Sequence, residues 1–221
     1  MELKNIKINF LGDSITEGAH ATDFAKKGYV GVIAEKTGAI CRNYGISGTR
    51  IAKQTIPSAS ESWDKDFISR VPELDEDADV VVVFGGTNDW GHGDAKLGNF
   101  ESHDPYTFYG GLHTLYTALI EKYPASQIVV LTPLHRIGEL GYITREDMPH
   151  ANKPYVLKDY VNVIREVAEF YSLPVLDLFK TSGIQPEIPV IKETYIPDGL
   201  HPNDAGHKLL ANRIVKFLET L

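Results

Sequence analysis

The sequence predicts an α/β fold in which a parallel sheet lies between two layers of helices. Five short apolar runs alternate with longer segments of helical periodicity, the pattern of repeated βαβ units. One run, Val80–Phe84, is continuous and β-branched, as expected for a strand buried on both faces. Because parallel crossovers are right-handed, we expect a three-layer sandwich.

The predicted strands span residues 6–11, 40–44, 80–84, 128–131 and 175–178. The first strand alternates apolar residues with Lys7 and Asn9, which by itself indicates one solvent-facing side. We assign it to the buried sheet because its end carries the first motif described below.

Four longer segments have the apolar spacing of helices, namely 29–37, 106–123, 155–172 and 203–221. Gly38 is the predicted stop of the first helix, and Pro124 and Pro174 follow the second and third. The apolar residues that we expect the last helix to bury are Leu210, Ile214, Phe217, Leu218 and Leu221.

Two stretches, residues 90–105 and 134–154, fit no element. Both follow predicted strand ends, where open α/β sheets place their ligands, and long loops there are typically functional. No repeat or low-complexity linker divides the 221 residues, so we predict a single domain over residues 1–221.

The composition, 43% hydrophobic and 24% charged, is that of a packed globular protein. A net charge of −8 without a basic run argues against nucleic-acid binding. Cys41 is the only cysteine, which excludes an internal disulfide; it lies among apolar neighbours and is expected to be buried. Without a signal-peptide pattern or an apolar run of about 20 residues, we expect a cytoplasmic protein that does not enter a membrane.

Four motifs lie at or beside predicted strand ends: Gly-Asp-Ser-Ile at 12–15, Asn-Tyr-Gly-Ile-Ser-Gly at 43–48, Gly-Thr-Asn-Asp at 86–89 and Asp-Gly-Leu-His-Pro at 198–202. Ser14 directly follows the first strand, with its hydroxyl expected to face the cleft. A serine in such a turn more commonly caps a helix, and it acts as a nucleophile only when a base removes its proton.

His201 is the best candidate for that base. Asp198 lies three residues earlier, close enough for its carboxylate to hold one imidazole nitrogen while the other faces the hydroxyl. The alternative is that both residues only shape a turn and cap the last helix. The chain's other histidines lack an acid and a helix start in this arrangement.

A serine acyl-transfer site also needs donors for the developing oxyanion. The backbone N–H groups of Gly48 and Ser14 and the side-chain amide of Asn88 are the candidates. We expect the missing Cβ of Gly48 to let the acyl group approach closely. The alternative for the Gly-Thr-Asn-Asp segment is an ordinary polar turn.

Together, the four motifs resemble the blocks of the SGNH hydrolases, also called the GDSL lipase/acylhydrolase family, whose name lists Ser, Gly, Asn and His. The resemblance runs from Gly12 to Pro202 and implies a flavodoxin-like five-stranded parallel sheet. It assigns Ser14 as the nucleophile, His201 as the base and Asp198 as its partner, and it places Gly48 and Asn88 in the oxyanion hole. Ile15 stands where the family name has Leu, and both residues are apolar.

Other sites fit the sequence less well. There is no Gly-x-Ser-x-Gly elbow, and the acid precedes the histidine by three residues, which argues against an α/β-hydrolase. His92, Asp94, His103 and Asp104 lack the spacing of a metal site, so no metal or other cofactor is predicted. Asp89 and Asp177 each end a strand and are expected to make structural hydrogen bonds.

The sequence therefore predicts a serine hydrolase that cleaves carboxylic esters of small soluble substrates through an acyl-enzyme on Ser14. An acetylated carbohydrate is the favoured substrate, and a lipase or thioesterase of the same family is the alternative. The aromatic residues that are candidates to stack on a sugar are Trp63, Trp90, Tyr106 and Tyr142.

A different class of function is a flavodoxin-like domain without hydrolytic activity. It would bind a phosphate or a flavin at the first loop, using the Ser14 and Thr16 hydroxyls. That reading gives no role to Asn88, Asp198 or His201.

Overall fold

The computed structural model describes residues 1–141 and 154–221. Within these ranges the strands are β1 (Lys7–Gly12), β2 (Ile40–Gly45), β3 (Val80–Phe84), β4 (Gln127–Leu131) and β5 (Val175–Leu176). They form one parallel sheet in the order β2-β1-β3-β4-β5. This is the flavodoxin-like order, so the predicted fold class is confirmed.

Helices follow the strands in the described ranges: α1 (Ser14–Glu17), α2 (Phe24–Lys27), α3 (Tyr29–Thr37), α4 (Phe67–Arg70), α5 (Thr87–Gly91), α6 (Phe108–Lys122), α7 (Leu157–Phe170), α8 (Leu178–Thr181), α9 (Pro189–Tyr195) and α10 (Asp204–Leu218). Two 3₁₀ turns, Glu61–Asp64 and Val71–Glu73, flank α4. The four long helices predicted from sequence are α3, α6, α7 and α10, with ends that differ by at most three residues.

The middle strand β3 shows why the sheet has two covered faces. Val81 and Val83 pack in a core with α6 and α7, whereas Val80, Val82 and Phe84 pack on the opposite side with α3 and α10. All five residues are buried. A strand with apolar contacts on both faces needs no polar alternation, and the three-layer sandwich follows from it.

The polar residue Asn9 of β1 is buried within the sheet and does not face solvent. Asn9 is fully buried, and its amide donates to the Asp75 carbonyl at 2.8 Å and to the Tyr123 hydroxyl at 3.2 Å. Its Oδ1 accepts from Arg42 at 3.3 Å. Because a buried amide is tolerated when it is hydrogen-bonded, Asn9 does not prevent burial of the strand.

Three details of the sequence prediction are wrong. β5 ends at Leu176, since Asp177 caps α8 by accepting from the Lys180 N–H at 3.1 Å. Leu221, which lies beyond the end of α10, is 43% exposed, and Phe217 is half-buried. The stretch 90–105 begins inside α5, and that part of it is therefore helical.

The structure tests several other sequence predictions only in part. Of the stretch 134–154, residues 142–153 lie outside the described ranges, as does Tyr142. Cys41 is half-buried on the edge strand β2, and burial raises the pKa of its thiol to about 12, so it is a poor nucleophile. No helix in the two described ranges combines the length and apolar character needed to cross a bilayer. A single domain over residues 1–221 stays a prediction.

Candidate active site

Ser14 lies where β1 turns into α1. Asp13 caps this helix, because its Oδ1 accepts a hydrogen bond from the Ile15 N–H at 3.0 Å. Ser14 is the first helical residue, so its own N–H has no partner within the helix. The residue is 7% exposed and lines a cleft of about 330 Å³. This point lies between β1 and β3, where the strand order reverses and α/β sheets place ligands.

The loop between α9 and α10 brings His201 to this serine. Ser14 Oγ lies 3.0 Å from His201 Nε2, although the residues are 187 positions apart. The other ring nitrogen, Nδ1, lies 2.7 Å from Asp198 Oδ2. A carboxylate only accepts hydrogen bonds, so Nδ1 carries the proton and Nε2 presents a lone pair to the hydroxyl. The three side chains thus form one continuous chain of hydrogen bonds.

Asp198 is held as a carboxylate by its own loop. Its Oδ1 accepts from the N–H groups of Leu200 at 2.9 Å and His201 at 2.7 Å. Burial alone would raise the pKa of Asp198, but these bonds and the one to the imidazole outweigh it and hold the pKa well below its usual range. The group is therefore ionised at neutral and mildly acidic pH.

Asn88 and Gly48 line the same cleft as Ser14 and His201. Asn88 is buried in the first turn of α5, and one N–H of its amide donates to the Thr49 carbonyl at 3.0 Å. An amide nitrogen carries two hydrogens, so a second donor remains on it. The structure brings together all the residues predicted for the site, and their catalytic roles remain predictions.

Gly48 needs its hydrogen side chain for a reason that differs from the expected one. Its φ of 76° lies in the left-handed region that favours glycine. A Cβ built on it would lie 2.2 Å from Cδ1 of Trp63. The space beside this Cα is thus filled by an indole ring rather than left open for an acyl group.

Residues 10–209 match the GDSL-like Lipase/Acylhydrolase family. The chain belongs to this family. The match includes all four motifs and confirms the resemblance predicted from sequence. Membership also confirms the predicted class of enzyme, a carboxylic ester hydrolase.

Individual relatives of this GDSL protein agree with the match. An acetylxylan esterase of Xylanibacter ruminicola is 26% identical over an alignment of 232 positions, which covers 97% of this chain but only 43% of that protein. A crystal structure from Lactobacillus plantarum has a TM-score of 0.80 at 30% identity and 98% coverage of both chains. The lipase/acylhydrolase of Enterococcus faecalis has a TM-score of 0.63 at 25% identity, over 97% of this chain and 96% of that one.

Arg70 supports the GDSL site although no motif pointed to it. Its buried guanidinium donates to the carbonyls of Tyr44 at 2.7 Å and Gly12 at 3.2 Å, and to Thr49 Oγ1 at 3.0 Å. Burial lowers its pKa to about 10. One side chain thus joins the ends of β1 and β2 to the loop that holds Gly48.

Asp89 has the structural role predicted for it. Its two carboxylate oxygens accept from the N–H groups of Ile51 at 3.0 Å and Ala52 at 2.9 Å. The bonds connect α5, which carries Asn88, to the segment that follows Gly48. Asp177 likewise caps α8 and pairs with Arg165.

His20 is a second histidine beside the predicted base. Its ring stacks on that of His201 with centroids 4.9 Å apart, and its Nε2 lies 3.5 Å from Asp198 Oδ2. These three side chains place possible metal-ligating atoms within 4.8 Å of one another. Both ring nitrogens of His201 are already used in the chain from Ser14 to Asp198, so an ion bound by His201 would compete with that arrangement.

The candidate sugar-stacking aromatics separate into different environments. Trp63 lines the cleft. Trp90 is buried, its Nε1 donates to the Tyr155 carbonyl at 3.2 Å, and Arg136 lies over its ring, so its prediction as a cleft residue is wrong. Tyr106 is 44% exposed and lies away from the cleft lining, beside Lys53.

Asp13, next to the GDSL serine, is expected to make stability depend on pH. Burial raises its pKa to about 6 despite the Ile15 hydrogen bond. Between its ordinary pKa of 3.8 and about 6 the folded protein binds more protons than the unfolded chain. Stability therefore falls as pH rises through this window.

We expect Asp13→Asn to remove this dependence, since asparagine caps a helix equally well and does not ionise. The variant should gain about 2 kcal/mol relative to wild type between about pH 4 and about pH 7. Urea unfolding at both pH values measures this difference. An equal effect at both would show that burial does not disfavour the charged form of Asp13.

Proposed function

We propose that this protein is a serine esterase that forms an acyl-enzyme on Ser14 and removes acetyl groups from an acetylated carbohydrate. The observation that carries the proposal is the hydrogen-bond chain from Ser14 Oγ to His201 Nε2 at 3.0 Å and from Nδ1 to Asp198 at 2.7 Å. A nucleophile, a base and an orienting acid in contact are the requirements of serine acyl transfer.

In the first half of the reaction, Ser14 Oγ attacks the ester carbonyl carbon while its proton passes to His201 Nε2. The resulting imidazolium lies against the ionised Asp198, which stabilises the new positive charge. The tetrahedral intermediate collapses when the bond to the alcohol oxygen breaks, and His201 returns the proton to that oxygen. The alcohol leaves, and the acyl group remains on Ser14.

In the second half, water replaces the alcohol. His201 takes a proton from the water, whose oxygen attacks the acyl carbon, and the bond to Ser14 Oγ breaks. The same imidazolium returns its proton to the serine. The free acid is released and the enzyme is restored.

Three hydrogen-bond donors are assigned to stabilise the negative charge that develops on the carbonyl oxygen. They are the N–H groups of Ser14 and Gly48 and the amide N–H of Asn88 that Thr49 does not use. Arg70 and Asp89 hold the loops that carry these donors, so the donors require little reorganisation when the charge develops.

Two observations support an acetylated carbohydrate as substrate. The relative from Xylanibacter ruminicola is an acetylxylan esterase, although this chain spans only 43% of it. The cleft is open to solvent, and its lining combines polar side chains, such as His20 and Ser47, with the indole ring of Trp63. Sugar rings present both hydroxyls and apolar faces, and such a lining complements them.

One of the two hydroxyls that the phosphate- or flavin-binding alternative requires is not accessible to a ligand. Thr16 is fully buried, and its Oγ1 is hydrogen-bonded to the buried Tyr29 hydroxyl at 2.9 Å. The other hydroxyl, that of Ser14, faces His201. Asp13 adds an acidic group beside this loop, which disfavours an anion. A cytoplasmic location and the absence of a nucleic-acid partner stay predictions.

Acetate release tests the proposed substrate class. We expect the purified protein to release acetate from acetylated xylo-oligosaccharides with kcat/KM at least about tenfold higher than for long-chain acyl esters or acyl thioesters. Acetate measured by chromatography, with Ser14→Ala as the blank, gives the comparison. Faster cleavage of thioesters or long-chain lipids, with no Ser14-dependent acetate release, would reassign the protein to the lipase and thioesterase alternative.

A further inference from the structure

One wall of the cleft has no part in the proton transfers assigned above. It is formed by Trp63, in the 3₁₀ turn before α4, and by His92, just after α5. The two rings contact each other with centroids 4.8 Å apart at 40°. The pyrrole edge of Trp63 also lies against Gly48, an assigned oxyanion donor.

The proposed chemistry indicates which part of an ester meets this wall. The leaving alcohol has to lie beside His201, because Nε2 returns the proton to it. The carbonyl oxygen has to lie at the donors of Gly48 and Asn88. We therefore assign the acyl substituent to the part of the lining next to Gly48, where Trp63 lies against Gly48 and His92 lies against Trp63.

This wall is held from behind by a buried cation. Arg50 is 2% exposed, and its Nη1 lies 3.1 Å from His92 Nδ1. Its Nη2 donates to Asp64 Oδ1 at 2.6 Å and to Ser58 Oγ at 2.7 Å. Asp64 is the neighbour of Trp63 in sequence, so the same guanidinium fixes the turn that carries the indole and the imidazole on which it stacks.

We propose that Trp63 and His92 close an acyl-binding subsite that admits an acetyl group and excludes longer acyl chains. The inference rests on the proposed esterase function and adds its acyl specificity. The indole fills the space beside Gly48. The ion pair between Arg50 and Asp64 holds the turn that carries the indole, so the ring cannot move aside without breaking this pair. A longer chain has to displace Trp63 or leave its methylenes in water.

Chain-length profiles of two variants test the subsite. The substrates are p-nitrophenyl acetate, butyrate, hexanoate and octanoate, and the readout is the ratio of kcat/KM for hexanoate to that for acetate. We expect a wild-type ratio below about 0.1, and Trp63→Ala to raise it about 10- to 200-fold, the range for apolar pocket contacts. Because both esters use the same oxyanion donors, the ratio does not depend on a general loss of activity.

Tyr106→Ala is the matched control, since it removes an exposed aromatic side chain away from the cleft lining. Its ratio should equal that of wild type. Trp63→Leu leaves a smaller gap, so it keeps the test valid if Trp63→Ala unfolds, and its ratio should also rise. Thermal unfolding of each variant checks the fold.

Two outcomes overturn the subsite: a wild type that cleaves hexanoate as fast as acetate, or Trp63 variants with the wild-type ratio. Neither affects the proposal that Ser14 forms an acyl-enzyme. That proposal fails instead if wild-type protein cleaves none of the four esters in a Ser14-dependent manner.

Discussion

Replacing Ser14 by alanine is expected to lower kcat/KM for p-nitrophenyl acetate by about 10⁴-fold or more. The change removes the atom that we propose forms the acyl-enzyme, and it leaves His201 and Asp198 hydrogen-bonded to each other. Initial rates of p-nitrophenol release measure the loss. A fluorophosphonate should label the wild type at Ser14 and leave the variant unlabelled.

We expect Ser14→Ala to lower the activity without destabilising the fold. Ser14 Oγ contributes a single hydrogen bond among the described residues, so we expect the melting temperature to change by no more than about 4 °C. Ser69→Ala is a matched control, because Ser69 in α4 also donates one hydrogen bond, to the Asp66 carbonyl. It should retain wild-type activity. A Ser14→Ala protein as active as the Ser69 variant would place the nucleophile elsewhere.

The second large effect is expected for Asp198→Asn, about 10⁴-fold in kcat. The amide oxygen still accepts from the Leu200 and His201 N–H groups, so the loop keeps its shape. Its NH₂ group, however, then faces His201 Nδ1 and favours the tautomer protonated at Nε2. That tautomer does not accept the Ser14 proton.

The pH dependence of stability provides an independent readout for Asp198. Its pKa is depressed in the folded state, so it contributes stability that is present above its unfolded pKa and lost as pH falls below that value. Wild type should therefore lose stability relative to the asparagine variant only in acid. Unfolding by urea across this range measures it.

Asp204→Asn is the control for the loss of a carboxylate in this region. Asp204 begins α10 and accepts hydrogen bonds from Thr22, outside the cleft lining. Its replacement should leave kcat close to that of wild type. If both aspartate variants retain kcat, the orienting role assigned to Asp198 is wrong.

Local signals were sufficient for much of the fold. The bounds of β3 were predicted without error because an uninterrupted β-branched run has few alternatives to a buried strand. β5 was predicted too long, because three of the four residues in the Val-Leu-Asp-Leu segment at 175–178 are apolar, and the capping bond of Asp177 ends the strand. Asn9 was ambiguous for a different reason: the hydrogen-bond partners that allow its burial, Asp75 and Tyr123, lie far away in sequence.

The motif residues of the site were also accessible from sequence, because strand ends of a parallel sheet meet at one edge. Arg70 was not, since it binds backbone carbonyls, which carry no sequence signal. Trp63 and Trp90 looked alike as loop aromatics, yet one lines the cleft and the other is buried under Arg136. Which loop aromatic is buried depends on tertiary contacts that periodicity does not encode.

Because Asp198 and His201 share one short loop, their mutual orientation is set locally and travels with that loop as a unit. The start of α10, in turn, ties this unit to the segment after Ser14, since Asp204 accepts from Thr22 and His207 Nε2 lies 3.2 Å from the Ala19 carbonyl. Insertions or deletions in the surface connections between them should consequently be neutral for the proton relay as long as the strand register is kept. Homologues of very different length can thus share one chemistry, and a graft of the 198–201 loop onto a related scaffold is a realistic engineering route.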